Sequence, residues 1–290
     1  MIIVICGPTG VGKTKLSIEL AKKYNAEIIN ADSMQTYIDM NIATAKIKEE
    51  EKEGIAHHLF DINRPEDMYT IYDYQKDARS KIDELNKKNK NIIFVGGSGL
   101  YIKSALYNLE FSDEKDKKDY SNLTLDEIIE KLKKYTDISS IDINNRKRME
   151  RLLEKYENSS VIGTKKDEKL YDFICIGLTT TRDNLYNIIN NRVDKMLNEG
   201  LIEEAKSFYD KKLHSKAIKT CIGYKELYTY FDGKCSLEDA IEEIKKNSRH
   251  YAKRQYTYFN NQMDVKWFEV NYDDFSKTIK EVEKYIDNNK

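Results

Sequence analysis

The opening of the chain constrains it most. Met1 to Cys6 is an apolar run of strand length, rich in Ile and Val. It leads into Gly7-Pro8-Thr9-Gly10-Val11-Gly12-Lys13-Thr14, which satisfies G-x-x-x-x-G-K-[ST], and a helical pattern carrying Leu16 and Leu20 follows at once. Apolar strand, glycine loop and helix in direct succession are the setting in which this pattern binds phosphate. Gly7 and Gly12 permit backbone angles closed to residues with a Cβ, so the loop can turn its N–H groups inward. The helix start adds the positive end of its dipole. Lys13 contributes a point charge, and Thr14 a hydroxyl for a phosphate-bound Mg2+.

The pattern downstream predicts an α/β fold: a parallel sheet of the P-loop NTPase type, flanked by helices. Ala26 to Asn30 reads as a second strand and runs into Ala31-Asp32-Ser33-Met34-Gln35-Thr36-Tyr37. An acid just past a strand end, beside a phosphate loop, is where such sheets place working groups. Asp32 can bind Mg2+, serve as a general base, or cap the next turn. His57-His58 precede Leu59 to Ile62, read as a strand; adjacent histidines on a strand point to opposite faces and do not make a bidentate metal site. Thr70-x-x-Asp73 and Thr124-x-x-Glu127 are capping boxes that open helices. Asn91 to Val95 is a buried strand that ends in Gly96-Gly97-Ser98-Gly99, where an ordinary NTP-hydrolysing relative would place a metal-binding Asp. That substitution of glycines for an acid suggests a phosphate site that serves something other than NTP hydrolysis.

From Phe111 to Asp119 the composition turns to charge. Residues 112–165 therefore read as a small helical insertion, with 1–111 and 166–290 forming the core. Within the insertion, a helix from Asn144 to Tyr156 carries Lys147, Arg148 and Arg151; it can lie on a phosphate backbone or present a solvated face paired with Glu150 and Glu154. After a strand at Asp172 to Leu178, Arg182 opens a long helix from which Arg182 and Arg192 can reach pyrophosphate oxygens. Thr220 to Lys225 breaks the helical run. A final long helix begins at Ser236 and ends in Arg249-His-Tyr-Ala-Lys253-Arg254-Gln255-Tyr256-Thr-Tyr258-Phe259, where basic and aromatic residues interleave as RNA contacts do, or as a core stripe with a basic outside would. The formal net charge is −1, so any polyanion binding must come from such local patches. The four cysteines form no C-x-x-C pair, which argues against a zinc site or a disulfide framework. No basic leader and no apolar run long enough to span a bilayer are present, so a cytoplasmic protein without membrane contact is expected.

Several separated segments agree with one family. GPTGVGKT (7–14), ADSMQTY (31–37), ATAK (43–46), HHLFD (57–61), VGGSGLY (95–101), NNRKRMERLLE (144–154), CIGYKE (221–226) and YAKRQYTYF (251–259) occur in order along nearly the whole chain. By these the chain resembles the tRNA dimethylallyltransferase (tRNA isopentenyltransferase) family. It departs at Ala43 and Ile47, where Gly and Pro are usual, at Ser98, where Thr is usual, and at Tyr258, where Trp is usual; the hydroxyl and the aromatic face are kept.

The resemblance implies transfer of a dimethylallyl group from dimethylallyl diphosphate to N6 of the adenosine just 3′ of the anticodon, in tRNAs that read codons beginning with U. Gly7 through Thr14, with Arg192, would bind the diphosphate. Lys13, Thr14 and Mg2+ would neutralise charge developing on the leaving group. Asp32 would be the general base for the amine. Ser33, Met34, Gln35 and Ser98 would hold the flipped adenosine. Lys147, Arg148, Arg151, Gly223, Tyr224, Lys225, Lys253, Arg254 and Gln255 map onto RNA-contacting segments. A monomer acting on a tRNA anticodon stem-loop is expected. Two alternatives from the same loop are an isopentenyltransferase acting on free adenine nucleotides and a small-molecule kinase; a third is a non-catalytic RNA-binding module.

Overall fold

The computed structural model describes residues 1–109, 119–139, 141, 143–157 and 167–290. The chain divides into two compact units, Met1–Leu106 with Tyr171–Lys290, and Tyr107–Leu170. The smaller unit is wider by five residues at each end than the 112–165 insertion drawn from composition. The charged run from Phe111 to Lys118 and the boundary at 165/166 lie outside the described residues.

The larger unit is built on a six-stranded sheet, all parallel, in the order β3-β2-β4-β1-β5-β6. The strands are β1 (Ile2–Cys6), β2 (Ala26–Asn30), β3 (His57–His58), β4 (Asn91–Val95), β5 (Phe173–Thr179) and β6 (Lys266–Glu269). β1 is central and every one of its residues is buried, which is why it reads as an unbroken apolar run and not as an alternation. Ile2 and Ile3 pair with Ile92 and Ile93 on one side and with Phe173 and Ile174 on the other.

β3 lies before the strand the sequence predicts: it is His57–His58, and the predicted run from Leu59 to Ile62 forms no strand. Leu59 and Asp61 adopt left-handed backbone conformations, with φ of 62° and 51°. Neither continues an extended strand, so pairing with β2 stops at His58. The two histidines diverge as expected: Nδ1 of His57 contacts the Ile55 carbonyl oxygen and Nε2 of His58 the Glu27 carboxylate.

Helix α1 (Lys13–Tyr24) leaves the glycine loop and packs against β2 and β4. α2 (Ile71–Lys87) packs on β4 and on α3 (Gly99–Leu106). The Thr70–Asp73 capping box is formed in full: Thr70 Oγ1 accepts from the Asp73 N–H and the Asp73 carboxylate accepts from the Thr70 N–H. In the smaller unit, α4 (Leu125–Lys133) starts from the equivalent Thr124–Glu127 box. It packs with α5 (Arg146–Glu157) around a core that includes Ile128, Leu132, Met149 and Leu153.

The remainder of the larger unit is helical. α6 (Arg182–Asn198), α7 (Leu201–Asp210), α8 (Lys216–Thr220), α9 (Tyr224–Phe231) and the long α10 (Leu237–Gln262) follow in order. Their cluster buries Tyr224, Leu227, Phe208 and Ile244. α11 (Phe275–Asn288) closes over α1 and β6, where Val282 and Ile286 join the sheet core. Among the described residues no helix is long and apolar enough to cross a membrane.

Candidate active site

The site forms at the carboxyl ends of β1, β2 and β4, where parallel sheets of this kind bind ligands. The loop after β1 turns through Gly7, Gly10 and Gly12, whose φ values are 128°, 88° and 95°. A side chain at Gly7 is ruled out twice over, because its Cβ would also lie 2.5 Å from the Leu178 carbonyl oxygen. Lys13 folds back across the loop and donates to the carbonyls of Gly7 (3.0 Å) and Pro8 (2.6 Å). Burial, with the positive Arg192 next, draws the Lys13 ammonium down to about 8, against the pull of Asp32.

The β2 end places Asp32 beside this loop. Asn30, fully buried, fixes the turn: its Oδ1 accepts from the Asp32 N–H (2.8 Å), and its Nδ2 donates to the carbonyls of Asp32 and Leu59 (both 3.0 Å). The Asp32 carboxylate in turn accepts from the Met34 N–H at 3.0 Å. Burial raises its pKa above the ordinary carboxylate value, opposed by the Met34 N–H, Lys13 and Arg192. Asp32 thus caps a turn and also faces two cations. Of the three roles the sequence leaves open for it, the cap is the one observed.

The β4 end is stitched to the β2 end. The Ser98 N–H donates to the Ala31 carbonyl (3.0 Å), and Ser98 Oγ accepts from the Ser33 N–H (3.1 Å). Gly96 lies so close that a Cβ there would sit 2.2 Å from the Ala31 carbonyl group. Gly96 thus serves backbone approach between two loops, while Gly97 and Gly99 leave room for the Gln255 and Tyr258 side chains. No acid stands at the end of β4; Val95 is followed by Gly96 and Gly97.

One cavity of about 890 Å³ lies here, lined by Lys13, Thr14, Asp32, Gln35, Arg192 and Arg254 among others; Ser98, expected at the adenosine, is not one of its lining residues. Ser33, Met34, Gly223 and Lys225 also line it. Arg192 reaches it from α6, and burial lowers its pKa while Asp32 opposes that shift. Arg182, four turns and more before the end of the same helix, is exposed and stacks over Tyr186 (5.2 Å); it is not one of the lining residues. Thr14 is exposed at the start of α1, and its hydroxyl makes no hydrogen bond among the described residues. One free hydroxyl fits a Mg2+ that takes its other ligands from phosphate and water. Among the described residues no cluster of three or more His, Cys, Asp or Glu could hold a metal by itself.

Two expected RNA contacts are corrected. Tyr224 is fully buried and donates its hydroxyl to Glu204 at 2.6 Å. Gln255 is 4% exposed, and both ends of its amide are used: Oε1 accepts from the Thr9 N–H (3.2 Å) and Nε2 donates to the Gly97 carbonyl (3.1 Å). Both sit on the inward side of their helices, where an aromatic ring and a satisfied amide are stable and a nucleotide does not reach. Lys253 and Arg254, on the outer side of α10, are exposed, with Arg254 over the Tyr251 ring (5.7 Å). In the smaller unit Lys147, Arg148 and Arg151 are exposed and make no ion pair among the described residues; the Glu150 carboxylate is taken by Arg146 at 2.7 Å.

Sequence reasoning missed two residues that shape this site, Asn30 and Tyr251, and gave a third, Gln255, a different role. Asn30 sets the Asp32 turn, Gln255 ties the glycine loop to the β4 loop, and Tyr251 interacts with both Ser98 and Gln255 beside the cavity. A polar residue directly after the apolar pair Ile28-Ile29, at the strand's end, was the available signal for Asn30.

Comparison with known proteins agrees with this geometry. The family profile described as IPP transferase matches residues 35–262. The chain is 46% identical to a tRNA dimethylallyltransferase of Anoxybacillus flavithermus, over 99% of this chain and 96% of the relative. A solved tRNA isopentenylpyrophosphate transferase of Staphylococcus epidermidis superposes with a TM-score of 0.77 at 38% identity, over 100% of this chain and 99% of the other. A eukaryotic dimethylallyltransferase solved while acting on tRNA superposes with a TM-score of 0.78 at 29% identity, over 92% of this chain and 73% of the other. With its glycine loop, its acid-free β4 end and likeness along nearly its whole length, the chain belongs to the IPP transferase family.

Proposed function

We propose that the protein transfers a dimethylallyl group from dimethylallyl diphosphate to N6 of the adenosine 3′-adjacent to the anticodon, in tRNAs reading codons that begin with U. The observation that carries this reading is the presence of Asp32, Lys13 and Arg192 around one cavity, with no acid at the end of β4. A leaving diphosphate needs cations and N–H donors, and an amine nucleophile needs a base. The site offers both side by side.

The glycine loop and Lys13 would hold the diphosphate, and Arg192 would face it from α6. Lys13 would exchange the Gly7 and Pro8 carbonyls for phosphate oxygens. Thr14 is the residue that would hold Mg2+, which when bound neutralises charge on the diphosphate. The N6 nitrogen attacks the allylic carbon, the carbon–oxygen bond to the diphosphate breaks, and the N6 proton passes to the Asp32 carboxylate. A raised pKa makes that carboxylate a better proton acceptor than an exposed aspartate. The target base must leave the anticodon-loop stack to reach this depth. Exposed Lys147, Arg148, Arg151, Lys253 and Arg254 suit the RNA backbone. An RNA substrate of this kind suits a protein of the cytoplasm.

The test incubates the protein and Mg2+ with labelled dimethylallyl diphosphate and an anticodon stem-loop bearing adenosine at that position. Parallel reactions replace the RNA by AMP or ATP. Label in the RNA alone is expected. Label in AMP or ATP moves the acceptor to free nucleotides, and ATP turnover without label overturns the transferase reading.

A further inference from the structure

Residues 41–46 form a turn with two polar faces. On one face the N–H groups of Asn41, Ile42 and Ala43 converge on the carboxylate of Glu204, which stands on α7. Oε2 accepts from Asn41 (2.9 Å) and Ile42 (2.8 Å), and Oε1 from Ile42 and Ala43 (both 3.0 Å). The Tyr224 hydroxyl donates to the same Oε1 at 2.6 Å. Successive N–H groups turned to one point make an anion nest, and here the anion is a side chain of the protein itself. On the other face the carbonyls of Thr44 and Ala45 accept from Nε2 of Gln35 at 3.0 and 3.3 Å. Ala45 takes a left-handed φ of 44°, and the turn is closed by Ala45 N–H to the Ile42 carbonyl and Lys46 N–H to the Asn41 carbonyl (both 2.9 Å). A left-handed alanine is costly and persists only where its surroundings impose it.

The two faces belong to one short rigid turn, so the nest and the carbonyl pair are coupled. With both N–H groups of its amide spent on carbonyls, Gln35 turns its Oε1 elsewhere, and that atom has no partner among the described residues. Gln35, Ala43, Thr44 and Ala45 all line the cavity that holds Asp32. We propose that Glu204 is a positioning residue for substrate recognition: by holding the 41–43 nest it fixes the Thr44 and Ala45 carbonyls, which orient the Gln35 amide to present an acceptor to an amino-bearing base. The charge matters. Three converging N–H dipoles repel one another unless an anion sits at their focus, and an amide in its place would keep one acceptor oxygen and turn its NH2 against the remaining N–H groups.

This inference rests on the transferase reading, and the test separates the two. Glu204→Gln, Gln35→Ala and the double variant are compared with the wild type by steady-state prenylation of the stem-loop, by binding of a non-transferable thiolo analogue of dimethylallyl diphosphate, and by amide hydrogen exchange across residues 35–47. Glu204→Gln is expected to lower kcat/KM for the RNA by up to about 10²-fold, as displacement of a positioned group does. Affinity for the donor analogue should stay within about twofold, and exchange at 41–43 should accelerate. Because Glu204 acts through Gln35, the double variant should be no worse than the poorer single one. Additive losses, unchanged exchange in Glu204→Gln, or donor affinity falling in step with activity would each overturn the proposal. If the wild type fails to prenylate the stem-loop, the transferase reading falls; the clamp is then still judged by exchange at 41–43, which must quicken in Glu204→Gln.

Discussion

The state of Lys13 makes the phosphate site pH-dependent in a way that a surface lysine would not. Its ammonium is drawn down to about 8 by burial and by Arg192. A diphosphate seated in the loop adds negative charge beside it, so the complex keeps the ammonium charged well above that value. Binding then carries the cost of protonating Lys13 wherever the free site has lost its proton. The apparent Kd scales as one plus ten to the power of pH minus pKa, so moving from pH 7 to pH 9 weakens binding about tenfold, or about 1.4 kcal/mol. At pH 8 about half a proton is taken up per site. Isothermal titration of the thiolo analogue in buffers of different ionisation enthalpy reads both quantities. In Lys13→Arg the guanidinium stays charged across this range, so the slope should vanish even if affinity is lower. Any titration of the ligand itself would appear equally in that variant. The same shift has a second consequence with the opposite slope. Between about 8 and the ordinary lysine value of 10.5 the unfolded chain holds a proton that the folded, ligand-free protein has released. Stability of the ligand-free protein therefore rises with pH through that window. Affinity that is flat from pH 7 to 9, or an equal slope in Lys13→Arg, would refute the reasoning.

Other outcomes follow from the same geometry. Asp32→Asn should bind the donor analogue normally and lose about 10²–10⁴-fold in turnover. In the wild type the acid limb of kcat/KM should lie above the ordinary aspartate value, because burial raises the Asp32 pKa and activity is lost as pH falls through it; a limb at the ordinary value would count against Asp32 as the base. Gln255→Ala strands the Thr9 N–H and the Gly97 carbonyl and should cost about 2–4 kcal/mol in chemical denaturation, with weaker diphosphate binding. A loss under about 0.5 kcal/mol would show that the strap does not hold the loop. RNA affinity should fall as salt rises despite the net charge of −1, because exposed Lys and Arg displace counterions; a flat salt profile would exclude the basic faces as the contact.

What was legible in the sequence is what is local. The strand–loop–helix at residues 2–24 and the caps at Thr70 and Thr124 depend on near neighbours, and each formed as read. Asp32 was found as a position but not as a geometry, since the two cations that face it come from α1 and α6, far from it in sequence. The side of a helix that faces inward was harder. In α10 the run from Lys253 to Gln255 reads as one basic stretch, yet one turn divides it between solvent and a fully used buried amide. Tyr224 failed for the same reason. The Glu204 nest was out of reach, because its partners lie about 160 residues away in sequence and the contact is with backbone, which leaves no side-chain pattern to read.

The tie between Thr9 and Gln255 spans 246 residues. During synthesis the glycine loop emerges 246 residues ahead of the residue that fastens it. At about 5–20 residues per second the loop waits roughly 12 to 50 s for its partner. β1 is in the same position, since one of its two neighbours, β5, begins only at Phe173. A nascent chain would therefore expose the motif long before it could grip a diphosphate, and ribosome-bound chains stopped short of α10 should not capture the donor.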